Sequence, residues 1–589
     1  MVNLYTVNYQ TPQPVVVNQK KTSAPVAEPT NPMTRNFLEG RGIKSFYMPI
    51  QKTPAITETP AVKGPWKNDL KDKFHNNDVK ICAIIMRSFN AKDTDKDGLI
   101  LEHEKTGTYL SAIERLPELK KMGINAIHVL PIQPPGEQES MGNAGSVYAV
   151  KDLLKLDPKL RDPKDPRDEK EQFKAFVDAC HENNIRVLLD LPSCAALDFY
   201  NQPENKKFMA ISENGLAKVP QGWDDIRMFE TFKNKDKREL NHDLVEMHKD
   251  FVDMCIDLGV DGIRADVARA KPPEFWDIII PYSRAKDPQF GWLAETYTYE
   301  DASPMLNMDY DRPEEILNSG FDVYYGQFHI FDQWLKGDDL HNYMRENIEM
   351  THKLEKTKGL IGSFATHDDV SPMYQGKTLF CNLATGLMNT LPMTNPYFVD
   401  GFQSGDYYSY EYGNKLRVPE TQLQEHDDVP VYEIHNGMID IFNTSRRPGG
   451  KNPEIGEFFS QTTKMREEHK NVITKGSYIP LKVKGAKEAE NIIAYARHKD
   501  GKTILVIANR NLNGRRAGNV EIPGLNASQK MKNLVPSYGE ASKFQPKENS
   551  LSVDLGPGRF HVFEINTPDI EKEADEVLKP YSEENKAKA

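Results

Sequence analysis

The sequence has little of what would place it in several large classes. Five cysteines occur in 589 residues (Cys82, Cys180, Cys194, Cys255, Cys381). They form no CxxC and no Cys/His cluster, so they suggest neither a zinc site nor a disulfide framework and read as isolated thiols of a reducing compartment. No apolar run approaches the ~18 residues a membrane span needs. The N-terminus MVNLYTVNYQTPQPVVVNQ has no apolar h-region, so a cytoplasmic protein is expected. Positive charge is in deficit: the formal net charge is -12. That argues against nucleic acid or an anionic membrane as a partner and leaves a neutral ligand such as a sugar polymer open. GxGxxG and P-loop patterns are absent, so no nucleotide site is suggested.

What is present is a long alternation. Residues 1–78 are rich in Pro, Thr, Asn and Lys and read as a solvated, disordered tail. From VKICAIIMRSF onward, short apolar runs alternate with segments of helical period. INAIHVLPI, RVLLDLP, GVDGIRADV, GWLAET, FDVYYG and LIGSFAT come next as strands, and EQFKAFVDACHENN is an amphipathic helix feeding RVLLDLP. Such βα units over about 400 residues predict a (β/α)8 TIM barrel, placed at 79–476. The polar stretch after the third strand, 192–240, is an excursion or short subdomain. From Ser477 the texture changes to short strands around turns such as KDG, which predicts a C-terminal antiparallel β-sandwich domain at 477–567. Residues 568–589 form a charged tail.

In a parallel barrel, chemistry gathers where strands end at the C-terminal face. The third run closes on Asp190, and the fourth holds Arg264 and Asp266 two residues apart, on one face. The fifth closes on Glu295 and the seventh on His367 and Asp368. Taken singly, Asp190 reads equally well as a helix cap, and Arg264–Asp266 as a structural ion pair. Together the four strand ends suit glycosidic-bond chemistry. One carboxylate attacks the anomeric carbon and a second, ~5–5.5 Å away, protonates the leaving oxygen. An arginine beside the nucleophile keeps it ionised.

With these residues in view, the chain resembles the alpha-amylase family, glycoside hydrolase family 13, over roughly residues 80 to 566. GVDGIRADVARA is similar to that family's fourth-strand Arg-x-Asp motif, GWLAET to its fifth-strand motif and SFATHDD to its seventh-strand His-Asp motif. GINAIHVLPI with GSVYAVKDLLKLDP resembles the second-strand region. The resemblance implies Asp266 as nucleophile, Glu295 as general acid/base and Asp368 as third active-site carboxylate. It also implies Tyr148 as a ring-stacking platform, Arg264 and His367 as substrate-side groups, and Asp190 as partner to Arg264. The expected substrate is an α-glucan or malto-oligosaccharide.

Two departures stand out. Where the family's third-strand motif ends Asn-His, this chain has Cys194 and Ala195. Where the fourth continues Lys-His, it has Arg269 and Ala270. KPPEFWDIII resembles the segment after the nucleophile in the branch that transfers maltosyl units from maltose 1-phosphate. That alternative would need Arg269 or Lys271 to face the donor's phosphate. A catalytically silent glucan-binding member is the other rival, which the presence of all three carboxylates opposes.

DTDKDGLILEHE matches the twelve-residue calcium loop. Asp93, Asp95 and Asp97 would ligate through carboxylates, Leu99 through its carbonyl and Glu104 from position twelve. A structural calcium ion is therefore expected, against the reading of an acidic turn that caps the next helix. Trp223 either stacks on sugar or packs the excursion.

Overall fold

The computed structural model describes residues 65–578 except 93, 95–102, 141–144, 221–223, 297–311, 327, 329–335, 355–357, 369–370, 407–451, 568–569 and 574–577. Asp93, Asp95, Asp97, Leu99 and Trp223 therefore lie outside the described residues, as does everything before Pro65.

Eight parallel strands close into a barrel. They are Ile81–Ile84, Ala126–Val129, Arg186–Leu191, Gly262–Ala265, Gly291–Ala294, Val323–Tyr325, Gly359–Gly362 and Thr394–Val399. The eighth pairs with the first, Ile81 opposite Tyr397. Both faces of each strand are covered, which is why they read as apolar runs rather than alternations. The alternation is nonetheless present in the packing. Ile81, Ala83, Ala126, Leu188, Leu293, Val323, Tyr325, Ile361, Tyr397 and Val399 fill the barrel interior. The residues between them, such as Cys82, Ile127, Val187, Leu189, Ile263, Trp292 and Leu360, pack outward against the helices. Following the inward register up the strands leads from Leu188 to Asp190, from Gly262 to Arg264 to Asp266, and from Leu293 to Glu295. The sequence reading missed the eighth strand, because Pro396 stands inside it and Pro argues against a strand interior.

Each helix returns the chain to the barrel floor. Glu169–Glu182 starts with a capping box: Asp168 accepts from the Glu171 amide at 2.8 Å and Glu171 from the Asp168 amide at 3.0 Å. It buries Phe173, Phe176, Val177 and Cys180 before feeding the third strand. The excursion holds two short antiparallel pairs, Cys194–Ala196 with Ile226–Met228 and Phe232–Asn234 with Glu239–Leu240.

Residues 65–78, grouped by composition with the tail, are folded. The compact unit begins at Pro65. A six-residue helix, Leu70–His75, closes the barrel floor with Leu70 and Phe74. A Cβ on Gly291 would stand 2.7 Å from Leu70, so a glycine is needed where the helix seats. Two apolar residues one turn apart in a charged segment are too short a period to announce a helix.

The C-terminal strands form two four-stranded antiparallel sheets. Between them pack Ile479, Leu505, Ile507, Val520, Leu551, Val553 and Phe563. Asp500 and Gly501, at φ +51° and +75°, make the hairpin turn that KDG announced. The sheets seat on the barrel through Tyr478 and His341 (2.6 Å) and through Tyr495 and Thr390 (2.7 Å).

Candidate active site

The backbone places the key carboxylates before any side chain is considered. The Asp266 amide donates to Leu191 O at 3.1 Å and the Glu295 amide to Ala265 O at 3.0 Å. These bonds extend the ladder one residue past the strands and hold both residues at the barrel rim. The seventh strand ends earlier than its sequence run, at Gly362. The chain beyond it is held by Val399, whose amide donates to Ala365 O, and so reaches His367 and Asp368.

Arg264 organises the site. Its Nη1 donates to Asp190 Oδ1 (3.0 Å), Asp190 Oδ2 (3.2 Å) and Asp266 Oδ1 (2.8 Å), and its Nη2 lies 2.8 Å from Glu295 Oε2. The rings of Tyr325 and Tyr148 flank the guanidinium at 5.3 and 5.8 Å. Exposure grades outward and sets which groups a ligand can touch. Asp190 is 0% exposed, Asp266 13%, Glu295 14% and Asp368 34%. Asp190 thus lies at the base of the site, beneath the groups a ligand can touch. It also accepts from His128 Nε2 and from Tyr148 OH, both at 2.9 Å. Burial alone would raise its pKa, but Arg264 and His128 outweigh that and hold it below the usual carboxylate range.

Glu295 has the opposite balance. Burial and the Asp266 charge push it up to about 7, against the opposing pull of Arg264 and of the Val267 amide, which donates to Oε2 at 2.7 Å. A carboxyl that holds its proton near neutrality is suited to general acid work. Val267 reaches it only by adopting φ +37°, ψ +56°, a left-handed conformation rare for a β-branched residue. Asp266 keeps Oδ1 on Arg264, while its Oδ2 accepts from Ser193 Oγ at 2.8 Å and from the Ser193 amide at 3.1 Å.

Tyr148 and His367 are stacked, with centroids 5.6 Å apart and planes 10° off parallel. The Tyr148 hydroxyl donates to Asp190 and lies 2.8 Å from His367 Nε2, which is also 3.4 Å from Asp368 Oδ1. Burial and the nearby Arg264 keep His367 neutral. Tyr148 is 7% exposed, so it is anchored in the network at the base of the site.

The structure therefore brings Asp190, Arg264, Asp266, Glu295, Tyr148, His367 and Asp368 together. Sequence reasoning missed His128, Ser193 and Tyr325. His128 had a signal: it is the one polar residue inside the strand run AIHVLPI, and it is fully buried. Lys271 does not offer a charge to a ligand. It is 2% exposed, with its Nζ 3.3 Å from Ser193 O and over the rings of Phe229 and Phe275. Arg269 is buried as well. Glu104 accepts from the Thr94 amide and from Thr94 Oγ1 (2.9 Å), closing its loop. Among the described residues no group of three or more His, Cys, Asp or Glu is placed to hold a metal ion. Nor is any helix there long and apolar enough to cross a membrane.

No family model matches the chain. Among curated proteins it is similar to the alpha-1,4-glucan:maltose-1-phosphate maltosyltransferase of Mycolicibacterium smegmatis, at 27% identity over 33% of this chain and 29% of that protein. It is also similar to a chloroplastic isoamylase of Zea mays, at 24% identity over 52% of this chain and 39% of that protein. The chain thus spans well under half the length of these relatives. Among solved structures, a maltogenic alpha-amylase of Thermotoga neapolitana superposes with TM-score 0.59 at 20% identity, covering 83% of this chain and 99% of that one. A debranching enzyme of Nostoc punctiforme gives 0.55 at 18%, covering 85% and 99%. The closed barrel, the three strand-end motifs in order and these relatives all bear out the chain's resemblance to the alpha-amylase family.

Proposed function

We propose that this chain cleaves or transfers α-glucosidic bonds of α-glucans or malto-oligosaccharides by a retaining double displacement. Asp266 is the nucleophile, Glu295 the general acid/base and Asp368 the third carboxylate. The observation that carries this reading is the shared guanidinium. Two carboxylates bound to the terminal nitrogens of one arginine are held as neighbours at one side of the site, an arrangement compatible with the ~5–5.5 Å spacing of a retaining pair. Their environments differ in the required sense. Asp266 accepts three hydrogen bonds, from Arg264 and Ser193, while Glu295 is pushed up to about 7.

In the first step Glu295 gives its proton to the glycosidic oxygen as Asp266 attacks the anomeric carbon. In the second, Glu295 takes a proton from water or a sugar hydroxyl, which displaces Asp266. Asp368, the most exposed of the three, is available to hydroxyls of the ring in the reaction subsite, with Tyr148 and His367 forming its base. Hydrolysis and transfer differ only in the acceptor. The burial of Lys271 and Arg269 speaks against their serving a phosphorylated donor. Five buried, unpaired cysteines fit a reducing compartment such as the cytoplasm. The loop closed by Glu104 is proposed to hold structural calcium, which a chelator-dependent fall in melting temperature would support and an unchanged one would refute.

The deciding experiment is proton NMR of the first product released from a malto-oligosaccharide. An α anomer is expected. A β anomer overturns the retaining assignment.

A further inference from the structure

Ser193 lies two residues past the third strand, is 5% exposed, and aims two donors at one atom. Its Oγ stands 2.8 Å and its amide 3.1 Å from Asp266 Oδ2. The segment is fixed from behind. Lys271 Nζ donates to Ser193 O at 3.3 Å, and the next residues, Cys194–Ala196, pair with Ile226–Met228. The backbone that carries this serine is therefore held in place beside Asp266, and its hydroxyl has only Cys194 Sγ, at 3.7 Å, as a further neighbour among the described residues. Each carboxylate oxygen has two in-plane acceptor sites, about four in all. Ser193 takes both on Oδ2. Arg264 takes one on Oδ1, and the second Oδ1 site is the one left for chemistry.

Resting on the reading of Asp266 as nucleophile, we infer that Ser193 is a positioning residue for the second half of the reaction. It holds Oδ2 as the carbonyl oxygen of the glycosyl ester, so that Oδ1 attacks and later leaves. In the first half-reaction the Oδ1–C1 bond forms, and the bond from C1 to the departing oxygen breaks as Glu295 supplies its proton. Asp266 passes from a carboxylate to a neutral ester, and the two donors on Oδ2 lose part of their hold. In the second half an acceptor hydroxyl gives its proton to Glu295 and its electron pair to C1, while the Oδ1–C1 pair returns to Asp266. Negative charge then grows on both carboxylate oxygens. Donors already aimed at Oδ2 stabilise that growing charge without having to reorganise. The same donors stabilise the free carboxylate before attack, so they favour departure of the nucleophile over its arrival.

The test separates the two halves. The enzyme is mixed with 4-nitrophenyl α-maltoside, whose leaving group makes the first half fast. Nitrophenolate release is followed on the millisecond scale, and the intact protein is weighed after acid quench. Losing one donor to a developing oxyanion costs ~10²–10³ in rate elsewhere. Ser193→Ala, which keeps the amide donor, is expected to show a burst of about one nitrophenolate per enzyme, then turnover about 10²-fold slower than the parent, with a maltosyl unit on Asp266. Ser193→Thr, which restores the hydroxyl, should restore turnover and remove the adduct. Two results overturn the inference. One is a Ser193→Ala enzyme in which burst and turnover slow together with no adduct; the other is one in which neither changes. A melting curve for each variant distinguishes a chemical effect from misfolding, and Ser193→Thr tests the inference if Ser193→Ala is unstable. If instead the parent enzyme with Asp266→Asn turns over normally, the nucleophile assignment itself has failed, whatever Ser193 does.

Discussion

The two ends of the barrel both bury carboxylates, and they treat them in opposite ways. At the floor, Asp322 receives Arg284 Nη2 (2.9 and 2.8 Å), His75 Nε2 (2.8 Å) and the Trp292 amide (2.8 Å). Asp261 receives Trp66, His181 and the Val187 amide, and Asp78 sits among Lys73, Lys80 and Lys470. Each floor acid is matched by its own donors, and two of them accept the amide of a residue at the start of a strand. At the rim, three acids, Asp190, Asp266 and Glu295, share the single cation Arg264. Burial, and with it this deficit of positive charge, keeps a proton on Glu295 and costs stability there. The lower face reads as stability and the upper as chemistry, as expected for this architecture.

Removing one acid from each end should split these roles most sharply. Glu295→Gln is expected to lower kcat by ~10²–10⁴ with an unchanged or higher melting temperature, because an acid in a hostile site is replaced by a neutral isostere. Asp322→Ala leaves Arg284 without its buried partner and should cost ~3–5 kcal/mol of stability, with kcat per folded molecule unchanged. Paired activity assays and urea melts check both. The contrast between the ends collapses if Glu295→Gln melts early or if Asp322→Ala is inactive while folded.

The ends should also respond to pH with opposite sign. Glu295 is raised from 4.5 to about 7. In that window the folded chain holds more protons than the unfolded one, so stability falls as pH rises. At ~1.36 kcal/mol per unit the loss is on the order of 3 kcal/mol. Asp78 is lowered from 3.8 to about 2: burial would raise it, but Lys80, Lys470 and Lys73 prevail. There the unfolded chain holds more protons, so its contribution is present above pH 3.8 and is lost as pH falls toward 2. Melts of the parent and of Glu295→Gln between pH 4 and 8 measure the first effect, and the slope should flatten in the variant. An equal slope in both would remove Glu295 as its source. Activity should fall on an alkaline limb near pH 7, where Glu295 loses its proton.

The same division governs how much of the molecule was legible in the sequence. The rim was legible because its chemistry requires particular residue types at strand ends: Arg264, Asp266, Glu295 and Asp368 are polar residues closing apolar runs. The floor was not. Trp66, Leu70 and Phe74 sit in a segment whose composition matches the tail before it, and the Gly262 and Gly291 positions against which Leu70 seats are far away in the chain. Pro396 hid the eighth strand because its missing amide contradicts strand chemistry locally, although ring closure fixes the strand's place. Ser193 was invisible for another reason. A serine in a turn is commonplace, and only the fold brings its two donors to Asp266, 73 residues away.

The smallest expected effect lies in the backbone between the two proposed catalytic acids. Val267 holds a left-handed conformation, at φ +37°, that glycine adopts freely. Such strain costs ~1–3 kcal/mol, and glycine gives back ~0.4–1 kcal/mol through the greater freedom of the unfolded chain. Val267→Gly should therefore stabilise the protein by about 1 kcal/mol. It should also lose activity a few-fold. The constrained amide is what donates to Glu295 Oε2 at 2.7 Å, and a freer backbone spends less time there. That amide favours the ionised form of Glu295, so loosening it should move the alkaline limb of kcat/KM to higher pH. A thermal melt and a pH–rate profile read the two effects on one variant. A lower melting temperature with an unmoved limb would mean that packing of the valine side chain, and not strain stored to aim its amide, holds this turn. The rim would then resemble the floor in the one respect that separates them.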